Sequence, residues 1–187
     1  MAEPTRRGVL LGLGALASAA AAPAPDANAQ RAWDFTFTAI EDGPLPLTQW
    51  RGRVLLVTNT ASFCGFTYQY KGLEALHAQL SPNGLTVVGV PSQDFDQESD
   101  SNAKVKQFCE ATFGVQFPMA GLTHVRGPQA HPFYRWVHDT QNWEPAWNFN
   151  KVLIGRDGRI AGLFSSWSAP DGVKLRGAIA QALAATV

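Results

Sequence analysis

The chain has 187 residues, of which 15 are lysine or arginine and 15 are aspartate or glutamate, so its formal net charge is zero. This balance does not favour binding to nucleic acid or to an anionic membrane surface. Apolar residues make up 45% of the chain and charged residues 16%, which is typical of a globular protein with a packed core rather than a disordered one. A chain of this length predicts a single domain.

The first 29 residues have the three parts of an export signal. Arg6 and Arg7 precede an apolar run over residues 8–22, and small residues follow up to Ala29. Because the run is shorter than the ~18 apolar residues of a membrane span, it indicates a cleavable signal peptide, similar to a twin-arginine signal. We therefore expect a periplasmic or secreted protein with no stable membrane insertion after cleavage. An uncleaved anchor or a flexible tail is the alternative.

Residues 30–187 are predicted to form one α/β domain, in which residues 33–50 are an N-terminal extension with a short strand or hairpin. Continuous apolar runs predict buried strands over residues 54–58 and 85–90. The apolar spacing between them predicts a helix over residues 68–80. Strand, helix and strand in this order form a parallel βαβ unit with a right-handed crossover.

The second half of the chain continues the alternation of helices and strands. Three further helices are predicted over residues 102–113, near 132–138 and over 171–185. Residues 151–156 and 159–164 flank Asp157-Gly158, which is a strong signal for an antiparallel hairpin. The whole pattern predicts a central, mostly parallel sheet with an antiparallel edge hairpin and helices on both faces.

The two cysteines, Cys64 and Cys109, are too few for a disulfide framework, and each could be a small buried core residue. Cys64 lies in the turn between the first buried strand and the helix, a corner where α/β sheets bind ligands. The start of a helix carries partial positive charge, which favours the reactive thiolate form. Gly65 leaves room for a substrate, and Thr67 is the expected N-cap of the helix.

Four segments of the chain resemble the glutathione peroxidase family in order and spacing. They are residues 58–76 around Cys64, residues 89–95, Phe108-Cys109 with residues 117–119, and Trp147-Asn148-Phe149 followed by Lys151 and a strand. The resemblance covers roughly residues 31–187. It implies a thioredoxin-like fold and a thiol peroxidase that needs no cofactor and reduces hydrogen peroxide and organic or lipid hydroperoxides.

The resemblance also implies roles for individual residues. The Cys64 thiolate would attack a peroxide oxygen and become a sulfenic acid, with the indole N–H of Trp147 and the side-chain amide of Asn148 as hydrogen-bond donors. The glutamine donor of the family falls at Asp94, with Gln93 one position earlier. A carboxylate beside a thiolate opposes its ionisation. We therefore predict that Asp94 is not a hydrogen-bond acceptor of Cys64, and that Gln93, or the Asp94 backbone N–H together with Asn148, replaces the glutamine.

Cys109 matches the resolving cysteine of the thioredoxin-dependent members, which would form a disulfide with Cys64. A core cysteine on a helix face is the alternative. Because the Cα atoms of a disulfide lie within about 7 Å of each other, resolution implies local unwinding of the predicted helix 102–113. The reductant would be a thioredoxin-like protein or glutathione. The segment between Met119 and Trp147 is shorter than in tetrameric members, which implies a monomer with an open cleft.

Three other functions fit the sequence less well than a peroxidase. A metal site would have to use His77, His124, His131 and His138, whose spacing fits no compact ligand motif, so no metal is expected. A thiol–disulfide oxidoreductase would share the fold, but such enzymes usually carry CxxC, and Thr67 occupies the second position here. A non-catalytic redox-sensing module would require a Cys64 that reacts slowly with peroxide.

Overall fold

The structure is a computed structural model that describes Met1 and residues 29–186. Almost all of the predicted export signal, residues 1–29, therefore lies outside the described residues. Within the described part of the chain, no helix is long and apolar enough to cross a membrane.

Within residues 29–186, six strands form two sheets, and the smaller sheet is the predicted N-terminal hairpin. The strands are β1 (Thr36–Thr38), β2 (Pro44–Pro46), β3 (Val54–Thr60), β4 (Leu85–Pro91), β5 (Lys151–Ile154) and β6 (Ile160–Phe164). Strands β1 and β2 pair with each other in an antiparallel hairpin, and the other four form a sheet in the order β4-β3-β5-β6. Strands β5 and β6 form the predicted hairpin at one edge of this sheet.

The prediction of a mostly parallel sheet is wrong in its detail. Only β3 and β4 are parallel, whereas β3–β5 and β5–β6 are antiparallel pairs. The long connection after β4 enters β5 at the end of the sheet where β3 finishes, because Lys151 at the start of β5 pairs with Thr58 near the end of β3. Strand direction depends on this distant connection, whereas the apolar runs that predicted the strands are local.

In the part of the chain that the structure describes, four α-helices pack on the sheet, and their bounds lie within three residues of the predicted ones. They are α1 (Gln69–Leu80), α2 (Asn102–Phe113), α3 (Pro132–Gln141) and α4 (Val173–Ala184). Alternate residues of β3 pack into two different cores: Val54 and Leu56 pack with the buried residues of α1, α2 and α4, and Leu55 and Val57 with those of α3. The prediction of helices on both faces is therefore confirmed.

The chain between β3 and α1 differs from the prediction at the helix start. Helix α1 begins after Tyr68, which makes no side-chain capping bond, and Thr67 is not its N-cap. The backbone N–H of Thr67 instead donates to the carbonyl of Cys64 at 3.1 Å, and Tyr70 N–H donates to the carbonyl of Thr67 at 3.0 Å. These turns run directly into the helix, so Thr67 lies within a turn. The N-cap position is therefore one residue later, at Tyr68.

Candidate active site

Cys64 lies in this turn, and its side chain is 4% exposed. Its sulfur accepts a long hydrogen bond of 3.5 Å from the backbone N–H of Phe66. A Cβ atom added at Gly65 would meet nothing within 4 Å, so the residue next to Cys64 borders open space. This agrees with the expectation that Gly65 lets a substrate approach.

Residues 97 and 98 hold the Cys64 turn from the neighbouring loop. The backbone N–H of Phe63 donates to the carbonyl of Gln97 at 2.9 Å, and that of Ser62 donates to the Glu98 carboxylate at 3.1 Å. Burial raises the pKa of Glu98, and its hydrogen bonds with Ser62 and Ser99 offset part of that rise. The backbone on the N-terminal side of Cys64 is thus fixed by two contacts to one loop.

Asn59 of β3 holds the backbone of Trp147 at the end of the strand that leads to Cys64. Its side-chain amide donates to the carbonyl of Trp147 at 3.0 Å and accepts from the N–H of Asn150 at 3.0 Å, while its own carbonyl accepts from Phe149 N–H at 2.6 Å. Only four residues lie between Asn59 and Cys64 in the chain. One strand therefore positions both the cysteine turn and the tryptophan.

Asn148 is connected to the Cys64 turn through Gln97. The Asn148 side chain is completely buried and donates to the side-chain oxygen of Gln97 at 3.0 Å. Its own side-chain oxygen has no partner among the described residues. Gln97 thus binds Asn148 through its side chain and the Cys64 turn through its backbone. The role of Gln97 was not predicted, because an isolated glutamine in a polar loop carries no pattern of its own in the sequence.

The indole of Trp147 is 41% exposed and packs on Phe95, with ring centroids 5.4 Å apart. Both hydrogen bonds that hold Trp147 within residues 29–186 go to its backbone carbonyl. The indole N–H is therefore free to donate to a group that enters the site. Phe63, Tyr68 and Trp167 are also exposed, and they give the surface near Cys64 an aromatic character.

The side chains of Gln93 and Asp94 form their hydrogen bonds within their own loop and with residues 124–126. The side-chain amide of Gln93 is exposed and donates to the carbonyl of Ser99 at 3.1 Å. One carboxylate oxygen of Asp94 lies 2.6 Å from His124 Nδ1, and the other accepts from Val125 N–H at 2.6 Å. The structure thus links Cys64, Trp147 and Asn148 through shared contacts, whereas the side chains of Gln93 and Asp94 bind elsewhere.

Cys109 lies on α2 and, like Cys64, is a free cysteine in the core between α1 and α2. Burial raises the pKa of Cys109 to about 11, although the nearby hydroxyl of Tyr70 offsets part of this rise. At neutral pH the thiol is therefore protonated in this conformation. A cavity of about 340 Å³ opens beside it, between α2, the N-terminal hairpin and residues 115–119.

The sequence is similar to those of known peroxidases. The glutathione peroxidase family model matches residues 32–138. The hydroperoxy fatty acid reductase of Synechocystis sp. is 36% identical over 150 residues, which are 74% of this chain and 89% of that protein. The glutathione peroxidase-like peroxiredoxin of Schizosaccharomyces pombe is 39% identical over 137 residues, 70% of this chain and 87% of that protein.

Solved structures show the same relationship. The crystal structure of Trgpx in its apo form has a TM-score of 0.66 and 34% identity, and covers 83% of this chain and 97% of its own. A thiol:disulfide interchange protein of the thioredoxin family from Chlorobium tepidum TLS has a TM-score of 0.61 at 16% identity, over 80% of this chain and 92% of its own, which shows a shared fold alone. The predicted thioredoxin-like fold is confirmed, and the chain belongs to the glutathione peroxidase family.

Proposed function

We propose that Cys64 is the nucleophile with which this peroxidase reduces hydrogen peroxide and organic or lipid hydroperoxides. The observation that carries the proposal is the linkage of the Cys64 turn to Trp147 and Asn148 through Asn59 and Gln97. The aromatic surface near Cys64 and the similarity to a hydroperoxy fatty acid reductase support the wider range of substrates.

The first step is a two-electron transfer from sulfur to oxygen. The Cys64 thiolate attacks one peroxide oxygen, an S–O bond forms as the O–O bond breaks, and the sulfur becomes a sulfenic acid. The other oxygen leaves with the bonding electrons and takes up a proton to give water or an alcohol. The indole N–H of Trp147 and the second amide N–H of Asn148 are the donors that stabilise this leaving oxygen.

The second step is resolution by Cys109. Its thiolate attacks the Cys64 sulfur, the S–O bond breaks, and the hydroxide that leaves becomes water, so that a Cys64–Cys109 disulfide remains. A thioredoxin-like protein or glutathione then reduces the disulfide. Because burial keeps the Cys109 thiol protonated, we propose that α2 unwinds locally first. In support, only Val105 and Cys109 of this helix are buried.

Substitution of Cys109 by serine tests the cycle. The first turnover with hydrogen peroxide is expected to keep its rate, whereas the Cys64 sulfenic acid should persist and be oxidised further on repeated exposure. Mass spectrometry after trapping with a sulfenic-acid probe measures both species, and Cys64→Ser is the control that should trap nothing. Steady-state turnover with a thioredoxin system that is as fast in Cys109→Ser as in the wild type would refute the resolving role.

We further propose that residues 1–29 are removed on export and that residues 30–187 act as a monomeric peroxidase domain in the periplasm or outside the cell. The twin-arginine-like pattern and the short apolar run support this. N-terminal sequencing of the protein recovered from the periplasm of a bacterial host should begin at or near Gln30. A protein that keeps its first residues and stays with the cytoplasmic fraction would contradict export.

A further inference from the structure

Lys151, at the start of β5, is a completely buried lysine close to the candidate active site. Its ammonium group donates to the side-chain oxygen of Gln69 at 2.5 Å and to the carbonyl of Phe149 at 2.9 Å. Burial lowers the pKa of Lys151 to about 7. Within residues 29–186 no carboxylate pairs with it. Burying a cation without an ionic partner costs free energy. Such groups are concentrated at functional sites, so we ask what Lys151 contributes to the site.

The contacts of Lys151 complete a ring of hydrogen bonds around the site. The Gln69 side-chain amide donates to the carbonyl of Ser166 at 2.7 Å, and the Ser166 hydroxyl donates to the carbonyl of Asn148 at 2.6 Å. Phe149 follows Asn148 in the chain, and its carbonyl closes the ring by accepting from Lys151. Gln69 is the first residue of α1, the helix that follows the Cys64 turn. The ring therefore joins the helix after the cysteine to the segment that carries Trp147 and Asn148.

The chemistry of an ammonium group gives this ring a defined direction. Because an ammonium donates hydrogen bonds and accepts none, it requires the oxygen of the Gln69 amide to face it and turns the amide nitrogen towards Ser166. Phe149 has a backbone φ of +61°, which is unfavourable for a residue other than glycine. The bond from Lys151 to the Phe149 carbonyl helps to hold this backbone.

We propose that Lys151 is a positioning residue of the peroxide-reducing site, whose charged form holds the Trp147-Asn148 segment in register with the Cys64 turn. The proposal rests on the function proposed above for Cys64. Burial alone does not explain why a lysine stands at this position, because an apolar side chain would fill the same volume at lower cost.

The lowered pKa of Lys151 is not caused by another titratable group. Strands β3 and β6, on either side of β5, contain no titratable side chain. The elements that share its core carry Cys64 and Tyr68 in the turn, Tyr70, Lys71, Glu74 and His77 on α1, Lys104, Lys106, Cys109 and Glu110 on α2, and Lys174 and Arg176 on α4. Burial is the sole cause of the lowered pKa of Lys151, and none of these groups contributes to it. Because Gln69 is the direct hydrogen-bond partner of Lys151, a pH dependence of the activity that Gln69→Glu shifts can be assigned to Lys151.

The experiment compares Lys151→Met, Gln69→Glu and the exposed control Lys174→Met with the wild type. Stopped-flow measurement gives the rate constant for oxidation of reduced Cys64 by hydrogen peroxide, divided at each pH by the thiolate fraction from its ultraviolet absorbance. Lys151→Met should lower this rate per thiolate by roughly 10- to 100-fold, the size expected of a small misplacement of reacting groups. Lys174→Met should match the wild type.

Gln69→Glu provides a readout that a purely structural role would not change. In the wild type, the rate per thiolate should fall as the pH rises through about 7 and Lys151 loses its proton. The new carboxylate favours the charged amine, so the pH at which the rate per thiolate falls should rise by at least about one unit. This measurement tests the proposal even if Lys151→Met does not fold. An unchanged profile, or Lys151→Met within twofold of the wild type, overturns the proposal. A wild type unreactive towards peroxide instead overturns the function proposed for Cys64.

Discussion

Substitution of Cys64 by serine is expected to abolish peroxide reduction, with a fall on the order of 10⁴-fold or more in the single-turnover rate. Serine is nearly isosteric, so the turn and its bonds to Gln97 and Glu98 should persist. A hydroxyl group, however, is scarcely ionised at neutral pH and cannot take up an oxygen atom as sulfur does. Stopped-flow consumption of hydrogen peroxide by the reduced protein, without any recycling reductant, measures this step alone.

Cys109→Ser is the matched control, because it makes the same chemical change at the other buried cysteine. It should consume one equivalent of peroxide at the wild-type rate. The reverse result, with Cys64→Ser active and Cys109→Ser inactive, would place the nucleophile on α2. A wild-type protein that reduces disulfides but does not react with peroxide would favour the thiol–disulfide oxidoreductase alternative.

The sequence predicts those parts of the fold whose signals are local. The apolar runs of β3 and β4 and the spacing of α1 lie within single segments, and the Asp157-Gly158 turn defines its own hairpin. The direction of β5 beside β3 is different, because it depends on where a connection of some sixty residues returns to the sheet. Local apolar character identifies a buried strand but does not give its direction.

The same distinction applies to the candidate site. Cys64 and the Trp147-Asn148 pair stand in recognisable patterns, and the substitution at Asp94 is visible as a departure from the family. The partners of Asp94 cannot be identified from the sequence, because His124 and Val125 lie about thirty residues further along the chain and approach it only in the folded protein. Gln97, an ordinary polar residue in sequence, likewise gains its position from contacts across the fold.

The buried polar groups behind the site give the protein an unusual dependence of stability on pH. Lys151 has a pKa of about 7 in the folded protein and an ordinary value of 10.5 when exposed. Between these values the unfolded chain binds a proton that the folded chain does not, so the free energy of unfolding rises with pH in this window. One such group contributes about 1.4 kcal/mol per pH unit, or ~5 kcal/mol across the whole window.

Urea unfolding of the reduced wild type and of Lys151→Met at several pH values between about 7 and 10 isolates this contribution. Groups common to both proteins cancel in the difference, including Cys109, whose raised pKa lowers stability at the alkaline end. The free energy of unfolding of the wild type should rise relative to that of the variant by about 1.4 kcal/mol per pH unit. If both free energies changed equally with pH, the buried amine would have an ordinary pKa. Because neutral Lys151 favours the fold and charged Lys151 is proposed to favour the site, the free energy of unfolding should rise with pH while the rate per thiolate falls.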